Sequence, residues 1–268
     1  MTRHLKDAHW LLFFLAILAG WAGLLLHGAS QSLPPAPLGA YLGWFDWTGE
    51  GSLWRSLCSA SAATAEPISL IAMWALMSLG MMLPTAYPML ATFSELMAAR
   101  PMGERFWNFA MLLAGYASVW LGFSVPAGLL QLGLTRQGLV GVDGTSLSAA
   151  LSAIVLLAAG LYQFSAIKHA CVSKCRSPMT TFLAGWRDGA AGAYLMGIRN
   201  GIHCLGCCAA LMLLAFVGGT MNLAFMGLAM VLMAVEKLPG PGRHVTRPLG
   251  IALVGAGAVV AASALGFA

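Results

Sequence analysis

Charged side chains are scarce in this sequence. Asp, Glu, Lys and Arg make up 9% of the 268 residues, apolar residues make up 59%, and the mean hydropathy is +0.81. A soluble domain carries about 25% charged residues, so this chain has too little charge to cover a surface that faces water. The same scarcity excludes a disordered protein, a coiled coil and a nucleic-acid-binding protein. The composition predicts an all-α, polytopic membrane protein that forms a single integral membrane domain over residues 1–268.

The sequence also lacks an evident internal repeat, which argues against a transporter built from two related halves. Seven apolar segments are long enough, or nearly long enough, to cross a hydrocarbon core that needs about 20 helical residues. They cover residues 10–27, 68–89, 106–134, 147–167, 188–217, 222–235 and 249–267. We therefore expect a transmembrane helical bundle of about seven spans, with the lipid bilayer as its surroundings.

The few basic residues are distributed unevenly between the predicted connections. The N-terminus and the even-numbered connections hold 11 Lys and Arg residues, whereas the odd-numbered connections hold two. Lys and Arg are retained on the cytoplasmic side of a membrane. The bias predicts a cytosolic N-terminus and an external C-terminus, and it explains the net charge of +5 as a consequence of topology.

Five of the six cysteines fall within a short stretch of the chain. They form two groups, Cys171-Val-Ser-Lys-Cys175 and His203-Cys204-Leu-Gly-Cys207-Cys208, and the sixth is Cys58. One or two cysteines in a helix would be ordinary small apolar residues. Five that lie close together indicate a shared thiolate site.

The spacing narrows the chemistry of this site. A c-type haem site is excluded because His203 precedes the C-x-x-C of Cys204 and Cys207. An iron–sulfur cluster uses four thiolates at other spacings, and a four-cysteine zinc site usually organises a small soluble module. Copper(I) is the soft ion that thiolate and thioether ligands favour together. We predict copper(I), with zinc as the alternative.

Methionine supplies the other soft donors. The chain has 16 methionines, and several recur at helical spacing in the second and sixth spans. Each stripe by itself is explained by gap-filling between helices. Met81 and Met212 are the candidates for additional ligands, because Met212 follows Cys208 by one helical turn and Met81 precedes a Leu-Pro step that should kink its helix.

The fifth predicted span is too long for a bilayer. Residues 188–217 would make a helix of roughly 45 Å, half again the hydrocarbon thickness. Four glycines in its first half predict a break near residues 197–201, which would bring Cys204 to the depth of Cys171 and Cys175. An unbroken helix would place Cys204 roughly 24 Å along the axis, where the two groups could not meet.

Polar residues within the spans are costly in lipid and therefore require a role. Arg199, His203 and Cys207 share one helical face, and Asn200, Cys204 and Cys208 share the next. Arg199 should either face the bundle interior or lie in the headgroup layer, and its expected partners are Glu66, Asp188, Glu236 or a thiolate. His203 could be a ligand, a proton acceptor or a satisfied core residue, and its place beside three cysteines favours a ligand.

Short blocks of residues between about 68 and 237 form a recognisable pattern. They are Ala75-Leu-Met-Ser-Leu-Gly-Met-Met-Leu-Pro84, Pro88, Tyr162-Gln163, Lys168-His-Ala-Cys171, Cys175-Arg176-Ser-Pro178, Trp186-Arg187, Gly201-Ile-His-Cys-Leu-Gly-Cys-Cys208, Leu211-Met212, Gly219-Thr-Met-Asn-Leu223, Met226 and Glu236-Lys237. In these residues the sequence resembles a bacterial family of predicted metal-binding integral membrane proteins, long catalogued as a domain of unknown function. Ala209 stands where that family usually has Trp. The resemblance implies a multi-pass protein of the cell (inner) membrane with a role in copper handling.

Three functions fit these observations. The leading hypothesis is a copper(I)-binding protein, not an enzyme. It would either store the ion or deliver it to a cuproenzyme, a metallochaperone or a membrane complex. The second is a membrane thiol–disulfide oxidoreductase that uses two cysteine pairs, although disulfides persist poorly in the reducing cytosol. The third is a structural subunit of a larger membrane complex.

Overall fold

The computed structural model describes residues 67–141, 144–220 and 222–265, together with Leu15, Ile17 and Ala22 in the N-terminal segment. The described chain is all-helical, as predicted, and contains no strand beyond one isolated bridge between Val140 and Ser146. Its helices are α1 (Pro67–Thr85), α2 (Tyr87–Leu96), α3 (Met102–Arg136), α4 (Ala149–Tyr162), α5 (Ala166–Arg176), α6 (Pro178–Leu183), α7 (Gly189–Met212), α8 (Ala215–Gly218), α9 (Leu223–Lys237) and α10 (Gly242–Ala264).

Four segments of the described chain are helical, long and apolar enough to cross a membrane. They are α1, α3, the stretch Gly189–Gly218 formed by α7 and α8, and α10, and the bent pair α4–α5 would make a fifth. The predicted span at 10–27 lies outside the described residues. The predicted span at 222–235 corresponds to α9, whose 15 residues fall short of the usual 20. The count of seven and the orientation of the termini stay predictions.

The core lies around α3, which packs against α1 on one side and α7 on the other, while α4 packs against α10. Trp74 on α1 and Trp120 on α3 are fully buried, and the Trp74 indole N–H donates to Gln131 Oε1 at 2.7 Å. This bond satisfies an indole and an amide that would otherwise be unpaired in an apolar interior. The arrangement fixes α7, which carries the second cysteine group, against the centre of the bundle.

The expected break in the fifth span is wrong, because α7 runs without interruption from Gly189 to Met212. Its glycines serve close packing instead. A Cβ at Gly197 would overlap the carbonyl oxygen of Leu112 on α3, and one at Gly201 would lie 2.9 Å from a methyl of Val119. Small residues let helices approach closely, and here they bring α7 against the backbone of α3.

The two cysteine groups meet for a different reason. The fourth predicted span, 147–167, ends early at Tyr162, and the chain turns by 62° before α5 begins at Ala166. Ser165 caps the new helix, because its hydroxyl accepts a hydrogen bond from the Lys168 N–H at 3.1 Å. The bend directs α5 against the side of α7, so that Cys175 reaches α7 at the level of its cysteines.

Candidate metal centre

Three cysteines on α7 form the centre of the site. The Sγ atoms of Cys204, Cys207 and Cys208 all lie within 4.8 Å of one another, and their residues are only 3%, 1% and 1% exposed. Their spacing of three and four residues places all three side chains toward the same part of the bundle. All three are free thiols, and the Sγ atoms of Cys207 and Cys208 are 3.3 Å apart. The triad therefore offers three soft donors to a single ion.

The first cysteine group reaches this triad from α5. Cys175 Sγ lies 3.9 Å from Cys207 Sγ, and Cys175 is half-buried. Cys171 is also half-buried and lies one turn earlier on α5. Its sulfur packs over Gly206, and a Cβ added to Gly206 would lie only 2.5 Å from that sulfur. Gly206 therefore leaves the space that Cys171 occupies. The predicted convergence of the two cysteine groups is found between Cys175 and Cys207.

Tyr116 and Lys237 contact the sulfur of Cys204. The Tyr116 hydroxyl lies 3.0 Å from Cys204 Sγ and donates to the carbonyl oxygen of Met82 at 3.1 Å. Lys237 Nζ lies 3.0 Å from the same sulfur and also donates to the Thr85 hydroxyl. Sequence reasoning missed these contacts. Two features of the sequence could have indicated them. Tyr116 is a polar aromatic residue in the middle of an apolar helix, and Lys237 directly follows Glu236.

A buried ion pair supports the backbone of the triad. Lys168 Nζ lies 2.7 Å from Glu236 Oε2 and donates to the carbonyl oxygen of Cys207 at 2.6 Å. Arg176 adds a hydrogen bond from Nε to the backbone oxygen of Glu236 at 2.7 Å. These bonds join α5, α7 and α9 around Cys207. Glu236, which the sequence suggested as a partner of Arg199, is buried and pairs with Lys168 instead.

The expectation that Arg199 faces the bundle interior is wrong. Its side chain is exposed, on the same outer stripe of α7 as Leu195 and Ile202, and it lies against Gly185. Of the expected partners, Asp188 accepts a hydrogen bond from Arg100 at 3.1 Å, Glu236 pairs with Lys168, and Glu66 lies outside the described residues. An arginine on the outer surface of the helix needs no carboxylate, because solvent or headgroups can satisfy it.

The remaining predicted residues lie in or beside the same part of the bundle. Asn200 is buried and donates to the backbone oxygen of Met196 at 2.9 Å, so its amide is satisfied within α7. His203 is half-buried, and its Nε2 has no hydrogen-bond partner among the described residues. Met81 and Met212 belong to the buried core that also contains the three cysteines. His203, Met81 and Met212 stay candidate ligands.

The arrangement offers the donor atoms that a soft cation prefers. Three sulfurs lie in a buried apolar environment, and thiolates favour soft metals such as copper(I). A fourth sulfur, that of Cys175, lies between the triad and the half-exposed side of α5. The nearby ammonium of Lys237 can balance part of the negative charge that several thiolates would bring together.

The chain matches the family described as copper chaperone (PpoB2) over residues 71–260, and it therefore belongs to this family. The matched range contains every residue of the cysteine triad and of the contacts around it. The match agrees with the metal-binding family that the sequence resembles. No curated protein and no solved structure matches the chain.

Proposed function

We propose that this member of the copper chaperone family is an integral membrane protein that binds one copper(I) ion between helices and delivers it to a cuproprotein. Its ligands are Cys204, Cys207 and Cys208, with Cys175 as the fourth sulfur. The observation that carries the proposal is the buried triad, whose three sulfurs lie within 4.8 Å of one another. Buried thiols at this spacing favour a soft ion, and the family supports copper.

Cys175 gives the ion a path in and out of the triad. Its sulfur is within 3.9 Å of Cys207 Sγ, while its side chain is still partly accessible. A copper(I) ion can exchange one thiolate ligand for another without leaving sulfur coordination, because both ligands offer the same soft donor. Copper bound by Cys175 and Cys207 would be the intermediate between an incoming partner and the buried triad. The protein carries copper as cargo, so the proposal assigns it no enzymatic activity.

The membrane location rests on four apolar helices within the described chain and on the scarcity of charge. The bias of Lys and Arg supports a cytosolic position for the half-exposed face of α5. Copper from the cytosol of a bacterial cell would then reach the cysteines from the cytosolic side of the inner membrane. A metallochaperone or a cuproenzyme complex is the kind of partner that this position fits.

Copper binding by variants of the cysteines tests the proposal. Purified protein is titrated with copper(I) against a chromogenic copper(I) chelator, under anaerobic and reducing conditions. The Cys207→Ser variant should bind copper at least about tenfold more weakly, since a lost thiolate ligand is worth more than the ~1.4 kcal/mol that a factor of ten requires. Cys207 is the informative position because its sulfur is near both Cys175 and Cys208.

The matched control is Cys58→Ser. It makes the same substitution at the cysteine that lies far from both groups in sequence, outside the described residues, and it should leave copper affinity unchanged. Equal effects at the two positions would contradict the proposal. A parallel titration with zinc tests the alternative metal.

A further inference from the structure

Lys237 is a buried cation at the metal centre. Its side chain belongs to a residue only 4% exposed, at the end of α9. The ammonium contacts two side chains, the hydroxyl of Thr85 on α1 and the sulfur of Cys204 on α7, the latter at 3.0 Å. An ammonium in an apolar interior requires a nearby negative charge, because its desolvation is otherwise uncompensated.

The described residues supply no carboxylate for this purpose. Glu236 is the one buried acid among them, and its Oε2 is bound to Lys168. The other described acids, Glu95, Glu104 and Asp188, are exposed. No ion pair between Lys237 and any described acid is formed. Among the described groups that contact Lys237, the sulfur of Cys204 is the one that becomes anionic when it binds a metal.

We propose that Lys237 determines the metal specificity of the centre by disfavouring divalent ions relative to copper(I). The inference rests on the proposed function, since it concerns the same site. For any given number of bound thiolates, a zinc(II) complex carries one more positive charge than a copper(I) complex. An adjacent ammonium repels that additional charge, and the repulsion is strong where the surroundings are apolar.

The charges of the proposed ligands show the size of this difference. With the three thiolates of the triad, a copper(I) complex carries a net charge of −2 and a zinc(II) complex carries −1. The Lys237 ammonium attracts the more negative copper(I) complex more strongly, so it shifts the relative affinity toward copper(I). Cys204 is the ligand through which Lys237 exerts this effect, because it is the sulfur that the ammonium contacts.

A structural role is the competing explanation. Lys237 connects α9 to α1 through Thr85, across 152 residues of sequence, and this contact could serve only to hold the helices together. The ratio of the two metal affinities separates the two roles. A loss of helix packing should weaken binding of both metals alike, whereas a loss of charge should change their ratio.

The test compares copper(I) and zinc(II) dissociation constants for the full-length protein and four variants. Lys237→Met and Lys237→Gln remove the charge, and the glutamine retains a hydrogen-bond donor. Both should lower the preference for copper(I) over zinc(II) by about tenfold or more. Lys237→Arg keeps the charge and should retain the preference. Lys174→Met is the control, because it removes the same charge from an exposed position of α5, where solvent screens it.

An unchanged ratio in the neutral variants would overturn the inference and leave the proposed function intact. Unfolding of both neutral variants, monitored by circular dichroism, would also contradict it, since Lys237 would then be a structural residue. Failure of the unsubstituted protein to bind either metal would instead overturn the proposed function. An equal change of the ratio in Lys174→Met would contradict the local effect that the inference requires.

Discussion

At the scale of single residues, the buried ion pair between Lys168 and Glu236 holds the cysteine triad in place. Lys168 joins the carboxylate of Glu236 at 2.7 Å to the backbone of Cys207 at 2.6 Å. Glu236 Oε1 has no hydrogen-bond partner among the described residues, so Lys168 carries most of the compensation for this carboxylate. A buried pair contributes little to stability as a whole, yet removal of one partner leaves an uncompensated charge.

This asymmetry gives a prediction for Lys168. The Lys168→Met variant should lose about 3–5 kcal/mol of stability, because it leaves the Glu236 carboxylate unpaired in an apolar interior. The double variant Lys168→Met/Glu236→Leu should recover most of that loss, since it removes both charges. Thermal unfolding in detergent, followed by circular dichroism, measures both. A double variant no more stable than the single variant would contradict the role of the pair.

Single residues differed in how far the sequence could predict them. The cysteines of α7 were identified because five of the six cysteines lie close together in the sequence, which chance would not produce. Tyr116 lies 88 residues from Cys204 in sequence and Lys237 lies 33 residues away, so no local pattern connects them to it. For Arg199 the sequence left both the bundle interior and the headgroup layer open, because which side of α7 faces out depends on packing against α3.

At the scale of the helices, the contact between α3 and α7 positions the site. Glycines allow the two backbones to approach closely at Gly115 and Gly197, where an added Cβ would overlap a backbone oxygen of the other helix. The same contact places Tyr116 of α3 against Cys204 of α7. The geometry at Cys204 therefore depends on the distance between these two helices.

The Gly197→Ala variant tests this dependence. Its Cβ would collide with the Leu112 carbonyl oxygen and force α3 and α7 apart, which should cost about 1–3 kcal/mol of stability. Copper affinity should fall with it, because Tyr116 and Cys204 would separate. Gly122→Ala on α3 is the control, since nothing lies within 4 Å of its Cβ and stability should be maintained. Equal melting temperatures for the two variants would argue against close packing at Gly197.

The glycines of α7 also show where prediction from the sequence failed. Glycine weakens an isolated helix, so a glycine-rich stretch was interpreted as a break. In the folded chain, packing against α3 stabilises the continuous helix and turns the same glycines into contact points. The bend between α4 and α5 was missed because residues 147–167 form one apolar segment, and only the cap at Ser165 marks the turn within it.

At the scale of the whole molecule, some basic residues are explained by the predicted membrane topology and others by buried contacts near the cysteines. The sequence alone could not separate these two groups. Lys168, Arg176 and Lys237 were counted as charges of cytosolic connections, yet Lys168 and Lys237 are buried at the candidate metal centre and Arg176 is half-buried beside it. Removing these three from the count still leaves eight basic residues against two, so the predicted orientation persists. The fold class followed from composition, because few charges and long apolar segments permit little else than a helical bundle.

In the proposed function, sulfur atoms of α7 hold copper(I) inside this bundle. Copper K-edge X-ray absorption of the copper(I)-loaded protein identifies the atoms that bind the ion, with the triple variant Cys204→Ser/Cys207→Ser/Cys208→Ser as comparison. We expect one copper(I) per chain with sulfur as the neighbouring atom, and loss of this sulfur shell in the triple variant. A shell of nitrogen and oxygen, or a sulfur shell that survives the triple substitution, would contradict it.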